Sequence, residues 1–230
     1  MSLTDLLRGR NSTRAFLSRP VSTALVRNLI AAAGQAPSGS NIQPWQLHVV
    51  NGTIRERICT ATRAAATSPS VASGRTYDYY PPAWRDPYLA RRRACGWGLY
   101  GLLGIHKGDR AAGMAQELRN FDFFDAPVGL FIFIDRDLGG GSLLDCGLFL
   151  QSLMLVALEA GLATCPQAAW VPFDATVRGI LGIPDSQMLV CGLAIGYPDP
   201  GAPVNNYRPS RLGVEEFTTW HLDIPDTTLP

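Results

Sequence analysis

Residues Leu143–Leu162 read LLDCGLFLQSLMLVALEAGL. A run of this length and apolarity is long enough to cross a bilayer. Asp145, Gln151 and Glu159 interrupt it, and two of these are ionised. Charge at bilayer depth is costly, so the stretch reads as a buried helix over Leu143–Ala160 rather than a membrane span. The helix is apolar nearly all round. Such a helix must be covered on every side, by a large core or by a second subunit. For a chain of 230 residues, a subunit interface is the natural place.

Working outward, three apolar runs read as strands: WQLHVV (Trp45–Val50), VGLFIFID (Val128–Asp135) and MLVCGLAIGY (Met188–Tyr197). Helical stretches separate them, so they are not successive hairpins. Ser22 is placed to cap TALVRNLIAAAG, whose Leu25, Leu29, Ile30 and Ala33 share a face before Gly34. Thr53 and Glu56 have the spacing of a capping box, and Ser142 with Asp145 resembles one. Leu89–Leu103 and DRAAGMAQELRNF (Asp109–Phe121) complete the helices, and the glycines in the former suit close packing. The order helix, strand, helices, strand, long helix, strand predicts an α+β or mixed α/β fold, one domain over residues 1–230. A loose stretch, TSPSVASGRTYDYYPPAW, lies within a lid-like loop over about residues 67–90.

Hydrophobic content of 47% and charge of 17% exclude a disordered chain. The net charge of +1 provides no global field for nucleic acid or an acidic membrane, and neither partner is expected. The five cysteines are odd in number and contain no C-x-x-C pair, which points to reduced thiols in the cytoplasm. The opening MSLTDLLRGRNSTRAF lacks the apolar centre of a signal peptide.

Local chemistry is concentrated in four segments. In RGRNSTRAF, alternate residues Arg10, Ser12 and Arg14 would share one face of an extended strand. Two guanidiniums and a hydroxyl pointing one way suit a phosphate, since Arg forks match its oxygens. The bland alternative is a solvated basic arm. In APSGSNIQPWQLHVV (Ala36–Val50), Ser38, Ser40, Asn41 and Gln43 crowd one turn before Pro44-Trp45. Near the end, NNYRPSRLGVEEF supplies Arg208 and Arg211. Finally, GLATCPQAAW (Gly161–Trp170) leaves backbone amides beside small side chains. A Cys165 nucleophile would need a histidine from elsewhere, and only His48, His106 and His221 exist. No ligand pair has zinc spacing, so no metal is expected. Neither a G-x-x-x-x-G-K-[ST] loop nor a G-x-G-x-x-G after a strand is present.

Six segments in order, RNSTRAF, APSGSNIQPWQLHVV, DAPVGLFIFID, DCGLFLQSLMLVALEAGLATCPQAAW, VCGLAIGYPD and NYRPSRLGVEEF, resemble the FMN-dependent nitroreductase family over about residues 8–217. The stretch YYPPAWRDPYLARRRACGWGLYGLLGI, with TCPQAAW, is similar to the subgroup acting on nitroaromatics such as nitrobenzoates. The resemblance implies an intertwined homodimer with FMN at the subunit interface. It also implies a small, mixed, mostly antiparallel sheet flanked by helices, with a C-terminal arm over about residues 200–230. The chemistry it implies is ping-pong: NADPH or NADH reduces FMN, and a nitroaromatic or quinone then takes the electrons.

Carried onto this chain, the resemblance assigns cofactor-binding positions residue by residue. Arg10, Asn11, Ser12 and Arg14 match positions at the phosphate and the pyrimidine edge, where a cation tunes the flavin. Pro37, Ser38, Gly39, Asn41 and Gln43 match a turn that reaches the flavin of the neighbouring subunit. Pro166, Gln167, Ala168 and Ala169 match the segment on the isoalloxazine face, with the backbone of Ala168 near N(5). Arg208 and Arg211 match a phosphate clamp. No side chain is expected to be catalytic, because the flavin carries the reaction. Asn11 stands where Arg or His is more usual, and Gln167-Ala168-Ala169 where many relatives have an acid and a glycine. Tyr79, Tyr80, Phe123 and Phe124 are candidates to line a flat substrate slot. The Arg91-Arg92-Arg93 triplet is either a solvated helix face or a lure for an acidic substrate or a nicotinamide phosphate. Alternatives that keep the fold are reductive dehalogenation, dehydrogenation, flavin fragmentation, or a non-enzymatic flavin-binding protein.

Overall fold

A computed structural model describes residues 2–68 and 77–222. Its centre is a four-stranded sheet in the order β1-β2-β4-β3, formed by Gln46–Val50, Val128–Asp135, Ala163–Gln167 (β3) and Gln187–Gly196 (β4). Every strand pair is antiparallel. The mixed character expected of the sheet is confined to an isolated parallel bridge between Ser12 and Thr164.

The strand β2 is the middle of the core. All its residues except Asp135 are buried, so it reads as an unbroken apolar run. Its side chains alternate between two cores. Leu130, Ile132 and Ile134 face the helices α2 (Thr23–Ala33) and α6 (Gly140–Glu159). Phe131 and Phe133 face α3 (Gly52–Thr67), α7 (Asp174–Leu181) and the aromatic residues Phe121, Phe123, Phe124 and Trp170. Asp174 ties α7 to the sheet. Its carboxylate is buried, accepts from the Leu189 amide at 2.8 Å and pairs with Arg178 and Arg136. The remaining helices are α1 (Leu3–Gly9), α4 (Tyr88–Leu102) and α5 (Arg110–Leu118).

Ser22 caps α2 as expected, its hydroxyl accepting from the Leu25 amide at 3.2 Å. Neither proposed capping box forms. Helix α3 begins at Gly52 after Asn51, which leaves Thr53 inside the first turn. Helix α6 begins at Gly140, so Ser142 lies within it and Asp145 is free for another partner. The strand β3 contains Pro166. Proline is tolerated there because β3 is an edge strand, with a free side where no ladder donor is needed.

The long helix α6 is not enclosed by its own chain. Leu144 is 68% exposed and Leu148 40% exposed, whereas Phe149, Leu153 and Ala157 are fully buried. By length and apolarity it is the one helix among the described residues that could cross a membrane, but here it packs on α2 and the sheet. The expected lid falls partly outside the described residues, at 69–76, as does the C-terminal arm at 223–230.

Two glycines allow aromatic rings to lie flat on the sheet. A Cβ on Gly129 would collide with the Phe123 ring, and one on Gly192 would lie 2.8 Å from Trp170 Nε1. Gly192→Ala should therefore lower stability by about 1–3 kcal/mol through overpacking. Chemical denaturation checks this, with a shifted midpoint at unchanged slope as the expected result.

Candidate functional site

The N-terminal segment does alternate as its sequence suggests. Arg10, Ser12 and Arg14 are half-buried and line a cleft of about 1220 Å³, while Thr13 between them is buried against β3. The Thr13 amide donates to Thr164 O at 3.0 Å. The C-terminal arm forms another part of the lining through Tyr207, Arg208 and Arg211. Helix α1 adds Arg8, and α4 adds Arg91 and Cys95.

One side chain joins the two ends of the chain, and sequence reasoning missed it. Asn205 Oδ1 accepts from the amides of Arg14 (2.9 Å) and Ala15 (3.2 Å). Its Nδ2 donates to Ala15 O (2.8 Å) and Asp199 O (2.9 Å). Asn11 Nδ2 in turn donates to the Asn205 carbonyl at 3.0 Å. The only sequence signal was an asparagine pair just after a Gly- and Pro-rich turn. Tyr207 is a second missed residue. It packs on α4 at Gly98, where a Cβ would lie 2.7 Å from its hydroxyl oxygen. Of the α4 glycines, Gly98 thus allows the close packing expected, whereas a Cβ on Gly96 or Gly101 would meet nothing within 4 Å.

The cleft is strongly cationic. Six arginines line it (Arg8, Arg10, Arg14, Arg91, Arg208 and Arg211) and no aspartate or glutamate does. Among the described residues, none of the six is in an ion pair. Among the described residues the Arg14 guanidinium donates to Ser12 O, that of Arg208 to the carbonyls of Asn205 and Tyr207, and that of Arg211 to those of Pro209 and Ser210. Burial, and then the nearby Arg211, hold Arg10 below the ordinary guanidinium value. A set of guanidiniums that repel one another and lack a carboxylate fits a phosphate.

Residues Pro166–Ala169 do not line this cleft; they follow Thr164, which bridges to Ser12, and Cys165, which lies near Arg10 and Arg14. Cys165 is buried, and burial pushes its thiol up to about 11 although Arg14 and Arg10 oppose the rise. It is therefore a protonated core thiol, not a nucleophile. Gln167 is turned inward: its amide donates to Asn120 O at 2.7 Å and accepts from Trp170 Nε1 at 3.3 Å. Only its backbone remains for a ligand, which corrects any side-chain role. Ala168 opens a short 3-10 helix, Ala168–Phe173, where backbone amides lack intrahelical acceptors.

The turn Pro37–Gln43 is not part of the cleft lining. It is strained, with positive φ at Ser40 (49°), Asn41 (58°) and Gln43 (48°). Non-glycine residues in this region cost about 1–3 kcal/mol each unless their surroundings hold them. Here the Gly39 amide donates to the buried Asp145 carboxylate at 3.1 Å, and the Gln43 amide donates to Ser38 Oγ at 2.9 Å. Behind the turn, Pro44 is buried and Trp45 stacks on Phe149 with ring centroids 5.0 Å apart. Trp45 thus anchors the turn to α6. Asn41 stays exposed.

The aromatic candidates divide. Phe123 and Phe124 are 0% and 1% exposed, and Phe123 packs on Phe131 and Trp170. They are core residues and do not line a slot. Tyr79 and Tyr80 are 54% and 52% exposed and stand edge to face at 4.7 Å, next to Trp84. Tyr77 ties this panel to the sheet by donating to Val190 O at 2.6 Å, where β4 bulges against β2. His48 is half-buried, edge-on to Phe133, and its imidazole is held below the usual value by burial. Among the described residues no cluster could hold a metal ion.

The chain belongs to the nitroreductase family, which it matches over residues 7–197. It is 39% identical to the nitrobenzene nitroreductase of Ectopseudomonas oleovorans, covering 94% of this chain and 95% of that one. The 4-nitrobenzoate reductase of Pseudomonas putida is 40% identical, with 91% of each chain covered. Among solved structures, the FMN- and NADPH-dependent nitroreductase NfnB of sphigopyxis sp. strain HMH superposes with a TM-score of 0.93. It is 42% identical, with 96% and 99% of the two chains covered. NfnB of Mycobacterium smegmatis, solved in complex with NADPH, is 32% identical with a TM-score of 0.90, covering 95% and 97%.

Asn205→Leu keeps the branched shape but removes the bonds from the Asn205 side chain to Arg14 and Ala15. Each backbone group left unpaired costs about 1–3 kcal/mol where water cannot replace the bond. Amide hydrogen exchange at Arg14 and Ala15 should accelerate, whereas the amides of β2 should keep their protection.

Proposed function

We propose that this protein is an FMN-dependent, NAD(P)H-consuming reductase of nitroaromatic compounds and quinones. The carrying observation is the cleft in which arginines from both ends of the chain meet without a carboxylate. FMN supplies the redox chemistry, accepting electrons from the nicotinamide and passing them to an electron-poor aromatic. The chain's own residues bind and orient. Arg10, Ser12, Arg14, Arg208 and Arg211 hold the phosphate, with Asn205 keeping the two arms in register. Asn11 stays at the edge of this set, tied to the Asn205 carbonyl.

In this reading the backbone amide of Ala168, at the open start of its short helix, donates to flavin N(5), while Pro166 and Ala169 pack on the ring. Pro37, Ser38, Gly39, Asn41 and Gln43 contribute to the site of a second copy, which makes the enzyme a homodimer. Exposed Leu144 and Leu148 on α6, with Ile42 and Val49 near the turn, support that arrangement as uncovered apolar surface. Tyr79 and Tyr80 are the aromatic faces left for substrate. The five cysteines are all free thiols, in keeping with a reducing cytoplasm. Residues 1–230 act as one FMN-binding unit.

Purified protein should be yellow, and anaerobic NADH or NADPH should bleach it. Adding a nitrobenzoate or a quinone should then restore the colour, in the exchange order of a ping-pong reaction. A colourless protein that takes up no FMN overturns this reading, and bleaching without reoxidation by either acceptor redirects it to another flavin chemistry. Arg208→Ala and Arg14→Ala each remove a charge-assisted bond worth roughly 1.5–3 kcal/mol. Equilibrium dialysis should show weaker FMN binding by at least about tenfold in each variant. For the turn, Asn41→Ala should fold and dimerise normally yet hold FMN less tightly, a comparison made by sedimentation and FMN titration together.

A further inference from the structure

The cleft carries more positive charge than one phosphate monoester uses. Such a group is at most a dianion with three terminal oxygens, and two or three guanidiniums satisfy it. Arg10, Arg14, Arg208 and Arg211 already exceed that need. Arg8 on α1 and Arg91 on α4 are additional cations in the same lining. Members of the Arg91-Arg92-Arg93 triplet are not equivalent. Arg92 lies over the Trp84 ring at 5.2 Å, and only Arg91 of the three lines the cleft. Arg91 lies 5.7 Å from the Tyr88 ring centroid, a contact that orients a cation without neutralising it.

We propose that Arg91, assisted by Arg8, forms a second anion subsite beside the FMN phosphate and that it takes the 2′-phosphate of NADPH. An oxyanion could come from two sources, a phosphate monoester on the electron donor or the carboxylate of an aromatic substrate. Geometry favours the donor. In FMN a ribityl chain separates the phosphate from the ring, so a single-ring substrate stacked on the flavin does not reach the phosphate end. A dinucleotide with its nicotinamide on the ring does. The two cations beyond those four, Arg8 and Arg91, also match a phosphate dianion better than a carboxylate monoanion. This inference rests on reading the cleft as the FMN site.

The test uses FMN-loaded protein and two readouts. By calorimetry, the parent should bind 2′,5′-ADP at least about tenfold more tightly than 5′-AMP. Arg91→Gln should abolish that difference, and Arg91→Lys should retain part of it. In turnover, Arg91→Gln should lower the ratio of kcat/KM for NADPH to that for NADH by about tenfold, through KM. Equal binding of the two nucleotides by the parent overturns the proposal. So does a rise in KM for 4-nitrobenzoate without a change in donor preference, which would assign Arg91 to the substrate carboxylate. Loss of FMN from Arg91→Gln also overturns it, by placing Arg91 on the FMN phosphate itself. A parent protein that never takes up FMN is a different failure, that of the cofactor reading.

Discussion

The cleft depends on one primary amide. Asn205 uses its oxygen for the amides of Arg14 and Ala15 and its nitrogen for the carbonyls of Ala15 and Asp199. Those bonds hold together segments some 190 residues apart in sequence. Guanidiniums without carboxylate partners repel, so nothing in their own chemistry would keep Arg10 beside Arg211. The neutral clamp supplies that force without cancelling charge. A salt bridge in its place would have introduced a carboxylate to compete with an incoming phosphate.

The helix α6 carries more than its share of the fold. One face fills the core beneath α2 and the sheet through Phe149, Leu153 and Ala157. Its buried Asp145 holds the Gly39 amide, and its Phe149 stacks on Trp45. Both contacts steady a turn with three left-handed, non-glycine residues. Its exposed leucines remain for whatever covers them. A carboxylate in an apolar helix therefore has a structural reason: it fixes the turn, not the helix terminus.

On the other face of the sheet, aromatic packing governs. Phe123, Phe124 and Asp125 all adopt positive φ, a costly backbone for three successive L-residues. Burying two phenylalanine rings offsets that cost. Gly129 and Gly192 admit the rings of Phe123 and Trp170, and Gln167 satisfies the Trp170 indole. The Gln-Ala-Ala sequence before Trp170 is thus shaped partly by the core beneath it. Its free backbone, not its glutamine side chain, faces outward.

The sequence by itself determined the local elements and the chemistry of the arms. Apolar runs identified β1, β2 and β4, and the cap at Ser22 held because its hydrogen bond reaches only three residues. Alternation placed Arg10, Ser12 and Arg14 on one face because an extended chain has a two-residue period. Six ordered segments identified the family. What only the tertiary structure decided depended on contacts distant in sequence. β3 was hidden because a proline in a strand is tolerated only at an edge, and the edge is a property of the whole sheet. Phe123 and Phe124 looked like slot residues because burial is not written locally. Asn205 was one asparagine in a turn until residues 11–15 came to lie against it. The meeting of both arms in one cationic cleft was likewise decided in three dimensions, where side-chain hydrogen bonds hold charges that would otherwise separate.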